Sequence, residues 1–305
     1  MEAGLVEREE PSGLLYHYTT LDGLVGILES DYLWATHVRY LNDVKEFRDA
    51  LDHLDSFIDE FDAEFRSYLQ SVLPSKIDYF LNEFGVYTVS FTDDERQPTI
   101  PDLMPGDRLN QWRSYSGKGN GISLGFDHNL IDKSNGDRVW KSRGIVAYLI
   151  DGVYQKDKKQ ELFQQLGRAA ASRFKLDIES AVIGESAIWE LVWPLLPAAA
   201  CFKHPAFFEE KEWRIVISPS PLEPSEGDLV ESPVHPVKFR KGVFGITPYI
   251  EFPLGLRSVN SPLRRVTVGP TPHIDDALIA VKALLAANGI TNVEVAKSKI
   301  PYRNW

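Results

Sequence analysis

The chain has 305 residues, a formal net charge of −11 and 43% hydrophobic residues. That size suits a single α+β or α/β domain with ample material for a core. The acidic balance argues against a strong general affinity for nucleic acid, which needs a net pull on phosphates, although a local basic groove stays open. Cys201 is the single cysteine, so an intrachain disulfide and a cysteine metal cluster are excluded, and its small apolar neighbours suit a buried hydrophobe.

Residues 1–13 are acidic, lack the apolar core of a signal peptide and read as a loose tail closed by Pro11-Ser12-Gly13. No run of about 18 apolar residues occurs anywhere, so no membrane helix is expected and the chain reads as cytoplasmic. "LLYHYT" is a short strand. Thr19 or Thr20 can cap the helix "LDGLVGILES", whose Leu21, Leu24, Val25 and Leu28 share one face. "YLWATHV" is a second strand. After Asn42 or Asp43, apolar residues from Phe47 to Val72 recur every three or four positions, which predicts a long amphipathic helix. Pro74 ends or kinks it, and a shorter helical piece runs to Phe84.

"GVYTVSFT" alternates as a strand should. Residues 93–108, with three prolines, read as a loop. "NQWRSYSGKGNGISLGF" gives an aromatic segment, a glycine-rich turn and a strand. "GIVAYLID" is a strand, and residues 156–197 are helical in two pieces. "EEKEWRIVIS" is a strand. Residues 219–236, with five prolines, read as an exposed loop. "LRRVTVGP" is a strand, "HIDDALIAVKALLAANG" a helix ended by Asn288-Gly289, and "VEVAKSKI" a last strand. The order lacks the regular alternation of a doubly wound fold. It predicts an α+β chain: one domain over 14–305, a mixed or antiparallel sheet, and helical insertions at 43–84 and 156–197.

Four stretches could carry chemistry. His17 lies where a strand passes into a helix; alternation puts it and Tyr18 on opposite faces, so one site cannot take both. It reads as a satisfied structural histidine or as a ligand-binding one. In "QWRSYSGKGNGISLGF", Gly117, Gly119 and Gly121 demand special backbone angles or close approach. Trp112 and Tyr115 beside them are core aromatics of a hairpin or a platform for a planar ligand. The stretch lacks the GKS or GKT ending of a phosphate-binding loop. In "FFEEKEWRIVIS", a period of two places Glu210, Glu212 and Arg214 on one face and Trp213, Ile215 and Ile217 on the other. Two carboxylates and an arginine are costly to bury unpaired, so this is either an ion-paired surface strand or a carboxylate aimed into a cleft. In "SKIPYRNW", Ser298, Tyr302 and Arg303 are polar lining or an ordered tail. Scattered histidines without zinc spacing speak against a metal, and no GxSxG elbow occurs. Lys156–Lys159 and Arg264-Arg265 read as solvated faces.

Taken as an ordered set, "YHYTTLDGLVGILESDYLWATHVRYLND", "VYTVSFTDD", "QWRSYSGKGNGISLGF", "FFEEKEWRIV", "VGP" and "SKIPYR" resemble the bacterial family called domain of unknown function 2971, across residues 14–303. The motif order is in turn similar to ADP-ribosyltransferase-like folds of the His-Tyr-Glu kind, found in toxins and anti-phage systems. That resemblance implies a split sheet gripping NAD as substrate. It implies that His17, with Tyr18 and Thr19 beside it, binds the dinucleotide through a ribose hydroxyl, and that Tyr115 or Trp112 stacks on the nicotinamide. Glu212 would stabilise the cationic sugar, Glu210 would orient the nucleophile, and Arg214 would hold the carboxylate. No metal is needed. The partners implied are NAD, a protein or nucleic-acid acceptor, and an antitoxin or defence-system partner. The middle aromatic motif departs from the usual Ser-Thr-Ser type. Two further readings stay open: a nucleotide-binding module that lost its chemistry, and a nucleic-acid-directed protein with a basic groove near Arg113, Lys118 and Arg214.

Overall fold

The computed structural model describes residues 11–41, 50–94, 104–117, 120–135, 145–177, 185–219, 237–242 and 245–301. β1 (Leu14–Thr19) runs into α1 (Leu21–Ser30), and it is Thr20 that caps the helix: its hydroxyl accepts from the Gly23 N–H at 3.0 Å. β2 spans Tyr32–His37. The helix expected from Phe47 onward is two helices in the described part, α2 (Leu54–Ile58) and α3 (Ala63–Glu83). Asp62 makes the break, because its carboxylate accepts the Phe65 N–H at 2.9 Å and starts a new helix. Pro74 lies inside α3 without ending it. Phe65, Leu69, Leu73, Ile77, Phe80 and Leu81 are buried along α3 and hold both of its halves, which offsets the one hydrogen bond proline removes.

β3 (Tyr87–Thr92), α4 (Leu109–Tyr115), β4 (Ile122–Asp127), α5 (His128–Asn135) and β5 (Ile145–Asp151) follow. α6 (Lys156–Asp177) and α7 (Glu185–Ala199) form the second helical insertion. A 3-10 turn over Pro205–Glu210 leads into β6 (Glu212–Pro219). The chain closes with β7 (Lys238–Gly242), β8 (Gly245–Pro253), β9 (Leu263–Val268), α8 (Ile274–Ala287) and β10 (Glu294–Lys297). The β7–β8 hairpin and α5 are elements that sequence reasoning did not identify.

The strands make one mixed sheet in the order β10-β9-β4-β1-β3-β2-β8-β7, with β6 and β5 attached through β3. The β9–β10 pair is parallel and the rest are antiparallel. The protein is therefore α+β, as expected. β3 is the junction. β6 pairs with it along its whole length, from Tyr87 to Thr92. Its other edge is shared: β1 touches it only at Thr92, and β2 only at Thr88 and Tyr87. The sheet forks there, with β1 and β2 diverging from one edge of β3.

The two faces of the sheet differ. Leu15, Leu124, Val89, Phe91, Ile215, Ile217 and Val266 share one face and form a core with Leu24 and Leu28 of α1 and Val281 and Leu285 of α8. The opposite face carries Tyr16, Tyr18, Thr88, Ser90, Thr92, Ser123, Glu212 and Arg214, by the register of β1, β3, β4 and β6. Most of it is nevertheless buried. The helical core of α2, α3, α6 and α7 packs there against Val216, and a small cluster of Tyr16, Tyr18 and Trp112 covers the β1 end. Cys201 is buried in the helical core. The end of the expected tail is tied down: Ser12 donates through N and Oγ to Asp93 at 3.0 and 2.6 Å, and the Gly13 carbonyl lies 3.0 Å from His128 Nδ1.

Candidate functional site

Glu212 opens β6 on the polar face, directly across from Thr92. Its neighbour two residues on, Arg214, shares that face and clasps it: Arg214 Nε donates to Oε1 at 2.8 Å and Nη2 to Oε2 at 3.2 Å. Arg214 Nη1 also donates to the Ala200 carbonyl just past the end of α7, at 2.6 Å, so the guanidinium ties the strand to a helix C-terminus. Lys203 reaches the same carboxylate from the other side and pairs with Glu212 Oε2. The Lys203 ammonium also donates to Glu210 Oε2 at 2.7 Å, and the Tyr115 hydroxyl donates to Glu210 Oε1 at 2.9 Å. The Glu212 N–H donates to the Tyr154 hydroxyl at 2.9 Å.

The backbone beneath is equally constrained. The Gly152 N–H donates to the Glu212 carbonyl at 2.8 Å, and the Lys203 N–H to the Val153 carbonyl at 3.0 Å. Lys159 lends its ammonium to the Lys203 carbonyl at 2.8 Å. Lys159 is thereby buried, an exception within the Lys156–Lys159 cluster, whose Lys156 and Lys158 are exposed as a solvated face should be.

With both glutamates ionised, the charges of Glu210, Glu212, Lys203 and Arg214 sum to zero. Burial pushes the Glu212 carboxyl up, but Arg214 and Lys203 outweigh it and hold it down at about 2. Glu212 is therefore a carboxylate at every physiological pH. Burial, then the neighbouring Glu210 charge, pushes the Tyr115 phenol up, so it stays a hydrogen-bond donor. The side chain of Glu210 is 15% exposed against 6% for Glu212, and the half-exposed rings of Phe207, Phe208 and Tyr115 lie at its rim. The network thus has a buried, permanently charged acid and a second acid closer to the surface.

The local path departs from the sequence reading at one point. Glu210 is not on the strand; it ends the 3-10 turn, and Lys211 takes a left-handed backbone (φ 45) before β6 begins. The period-of-two pattern holds only from Glu212 onward. Glu210 and Glu212 meet because both seek the same ammonium.

His17 stands elsewhere. It pairs with Leu124 and so shares the apolar face with Phe91, whose ring centroid is 5.8 Å away. Its Nδ1 lies 3.0 Å from the Ser90 carbonyl oxygen. A carbonyl only accepts, so Nδ1 carries the proton. Ser90 is in the middle of β3, where the fork leaves the strand edge without β1 or β2. The His17 ring supplies the missing ladder donor. Burial pushes its pKa down and the Ser90 bond only partly restores it, so the ring is neutral. Strand alternation thus sets His17 and Glu212 on opposite faces of the sheet.

The remaining residues divide between core and rim. Trp112 is wholly buried, edge-on to Tyr18 at 4.8 Å, with its indole N–H given to Asp107 at 2.7 Å. Asp107 also accepts from Ser298 Oγ at 2.6 Å and the Lys299 N–H at 2.8 Å, so Ser298 is part of a clamp on the C-terminal segment. Trp112 has no free ring face to stack on a ligand, which leaves Tyr115 as the accessible aromatic of the pair. Tyr18 donates to Asp94 Oδ2 at 3.1 Å and accepts the Arg108 N–H at 3.2 Å. Asp94 also takes the Gly106 N–H at 2.8 Å and faces Arg108 Nε at 3.5 Å. Burial drives its carboxyl up to about 6, against the lowering pull of Arg108. Thr19, at the end of β1, packs under Gly121, where a Cβ would meet the Thr19 carbonyl oxygen at 2.3 Å. Gly117 has a φ of 58, so both glycines meet the backbone demands expected of them.

Arg214 is 3% exposed and spent on Glu212, so it offers no basic groove with Arg113. Lys118, Gly119, Tyr302 and Arg303 lie outside the described residues. Sequence reasoning missed Lys203 and Tyr154, the two groups that complete the network. Lys203 did leave a trace: it is the lone cation in "PAAACFKHPAFF", an apolar run ending at two acids.

Fold and site together define an α+β protein with a forked sheet and a neutralised Glu-x-Glu cluster on its polar face. Residues 111–215 match the family model described as a protein of unknown function, DUF2971, which bears out the family resemblance. That span contains Tyr115, Tyr154, Lys203, Glu210, Glu212 and Arg214. No curated protein and no solved structure matches the chain. Among the described residues, no helix is long and apolar enough to cross a membrane.

Proposed function

We propose that the protein cleaves the bond between nicotinamide and ribose in NAD and passes the ADP-ribosyl group to water or a macromolecular acceptor, in the manner of ADP-ribosyltransferase-like toxins and defence effectors. The observation that carries this reading is the division of labour between the two glutamates. As the C1′–N bond breaks, its electron pair leaves with nicotinamide and the ribose becomes an oxocarbenium ion. A fixed negative charge in a dry site stabilises that cation with no reorganisation. Glu212 has such a charge. Glu210, held by Tyr115 and Lys203 near the surface, takes the proton of the attacking nucleophile as the new C1′ bond forms. The fork between β1 and β2 is in keeping with the reading, since the resemblance leads one to expect a split sheet.

One observation favours a second reading, a nucleotide-binding module without turnover: both oxygens of Glu212 are already committed to cations. Purified protein incubated with NAD separates the two. Enzymatic cleavage predicts nicotinamide release measured by chromatography. A sensing module predicts a rise in melting temperature with NAD and no release. Neither release nor stabilisation would overturn both.

A further inference from the structure

We infer that the open face of the β2–β8–β7 wing binds single-stranded nucleic acid. This inference stands apart from the NAD reading. On the far side of the fork the polar face of the sheet is no longer covered. Register places Tyr32, Trp34 and Thr36 of β2, Tyr249 and Glu251 of β8, and Lys238 and Arg240 of β7 on that one face. Trp34 is 44% exposed and Tyr32 36%. Tyr249 backs the Trp34 ring at 4.7 Å with an interplanar angle of 35°, and the Arg240 guanidinium lies 5.4 Å from the ring centroid. Arg240 is braced by donating to Thr36 Oγ1 at 2.8 Å, while its Nε is enclosed and finds no hydrogen-bond acceptor among the described residues. A large exposed aromatic backed by a second ring, with a braced arginine over it on an open antiparallel face, is an arrangement that stacks bases.

Three features choose the occupant. Tyr32 and Trp34 are two residues apart, about 7 Å along a strand, which suits two successive splayed bases. Lys238, Arg240 and Lys241 put three cations in four residues of a chain whose net charge is −11. Lys241 alternates to the other face and Glu251 neutralises Lys238 at 2.7 Å, so on the aromatic face Arg240 remains for a phosphate. Among the described residues Tyr32 and Trp34 stay open to solvent rather than walled in, so a free nucleotide would gain only one stacked base, whereas a strand gains several contacts.

The test is fluorescence anisotropy of the whole protein with labelled oligouridylate and oligothymidylate, across a salt series. Binding is expected, with log K falling against log salt at a slope of about −0.7, the value for one phosphate of a single strand. Trp34→Ala is expected to weaken binding about ten- to a hundredfold, and Trp34→Phe to restore most of it. Arg240→Glu is expected to weaken binding and flatten the salt slope, while Lys297→Ala, on a distant strand, changes neither. Equimolar adenosine monophosphate should not displace the strand. No binding at low salt, binding indifferent to both Trp34→Ala and Arg240→Glu, or equal displacement by the free nucleotide would each overturn the proposal.

Discussion

Glu212 and Asp94 are two buried acids at neighbouring ends of paired strands, yet the fold treats them oppositely. Glu212 has a bidentate arginine and a lysine ammonium, and its carboxyl is held at about 2. Asp94 has an arginine at 3.5 Å, a phenol and one backbone N–H, and burial wins, lifting it to about 6. Depth alone does not decide the charge of a buried carboxyl. The number of cations in direct hydrogen-bond contact does. A Glu212 that is always charged suits stabilising a cation. An Asp94 that titrates near neutrality fits a structural knot that closes the loop from 104 to 108 over Tyr16 and Tyr18.

The sharpest way to break this comparison is to take a cation from Glu212. Arg214→Met is expected to cost about 3–5 kcal/mol, read from urea denaturation, because it strands a buried charge and a helix-end carbonyl. Adding Glu212→Gln to that variant should recover part of the loss. A double variant whose cost equals the sum of the singles would show that the two side chains do not interact.

Next in size is the pH response. The folded Asp94 binds a proton up to about 6, whereas its ordinary value is 3.8. Between these values the folded state holds the proton that the unfolded chain has released. The contribution of Asp94 to stability is therefore present below about 4 and falls away as pH rises to 6, by about 3 kcal/mol. Glu212 runs the other way. Its contribution is present above 4.5 and is lost as pH falls towards 2. Asp94→Asn should remove the decline between pH 4 and 6 and keep the acid limb. A stability profile unchanged by Asp94→Asn would contradict the assignment. The smallest effect is expected from Tyr115→Phe, which deletes one half-exposed hydrogen bond to Glu210. It should cost about 0.5–1 kcal/mol, measured as a slight drop in melting temperature.

Much of the fold was legible because its strands and helices obey simple periods. β1, β3, β6, β9 and α8 fall where alternation or a helical stripe placed them. The β7–β8 hairpin was hidden by its prolines, since Pro248 argues against a paired strand. The register explains why it is tolerated: β2 pairs with β8 only from Tyr249 onward, so Pro248 needs no donor on that side. At the site, Glu212 and Arg214 were legible as one face of a strand. Lys203 was not, because it comes from the end of a helical insertion and meets Glu212 only through the Val153–Phe202 bridge. His17 was visible as a residue out of place, but its task, completing the edge of β3 at a fork, belongs to tertiary pairing that no local pattern records.

The most direct measurement is nicotinamide release from NAD by Glu210→Gln beside the unaltered protein, with melting temperatures recorded for both. The account predicts that release is lost at least about a hundredfold while the melting temperature stays within a few degrees, since the amide oxygen of the substituted side chain still accepts from Lys203 and its NH2 donates to the Tyr115 hydroxyl. Release that persists undiminished in a folded Glu210→Gln variant would contradict the account and remove the Glu-x-Glu cluster from the chemistry.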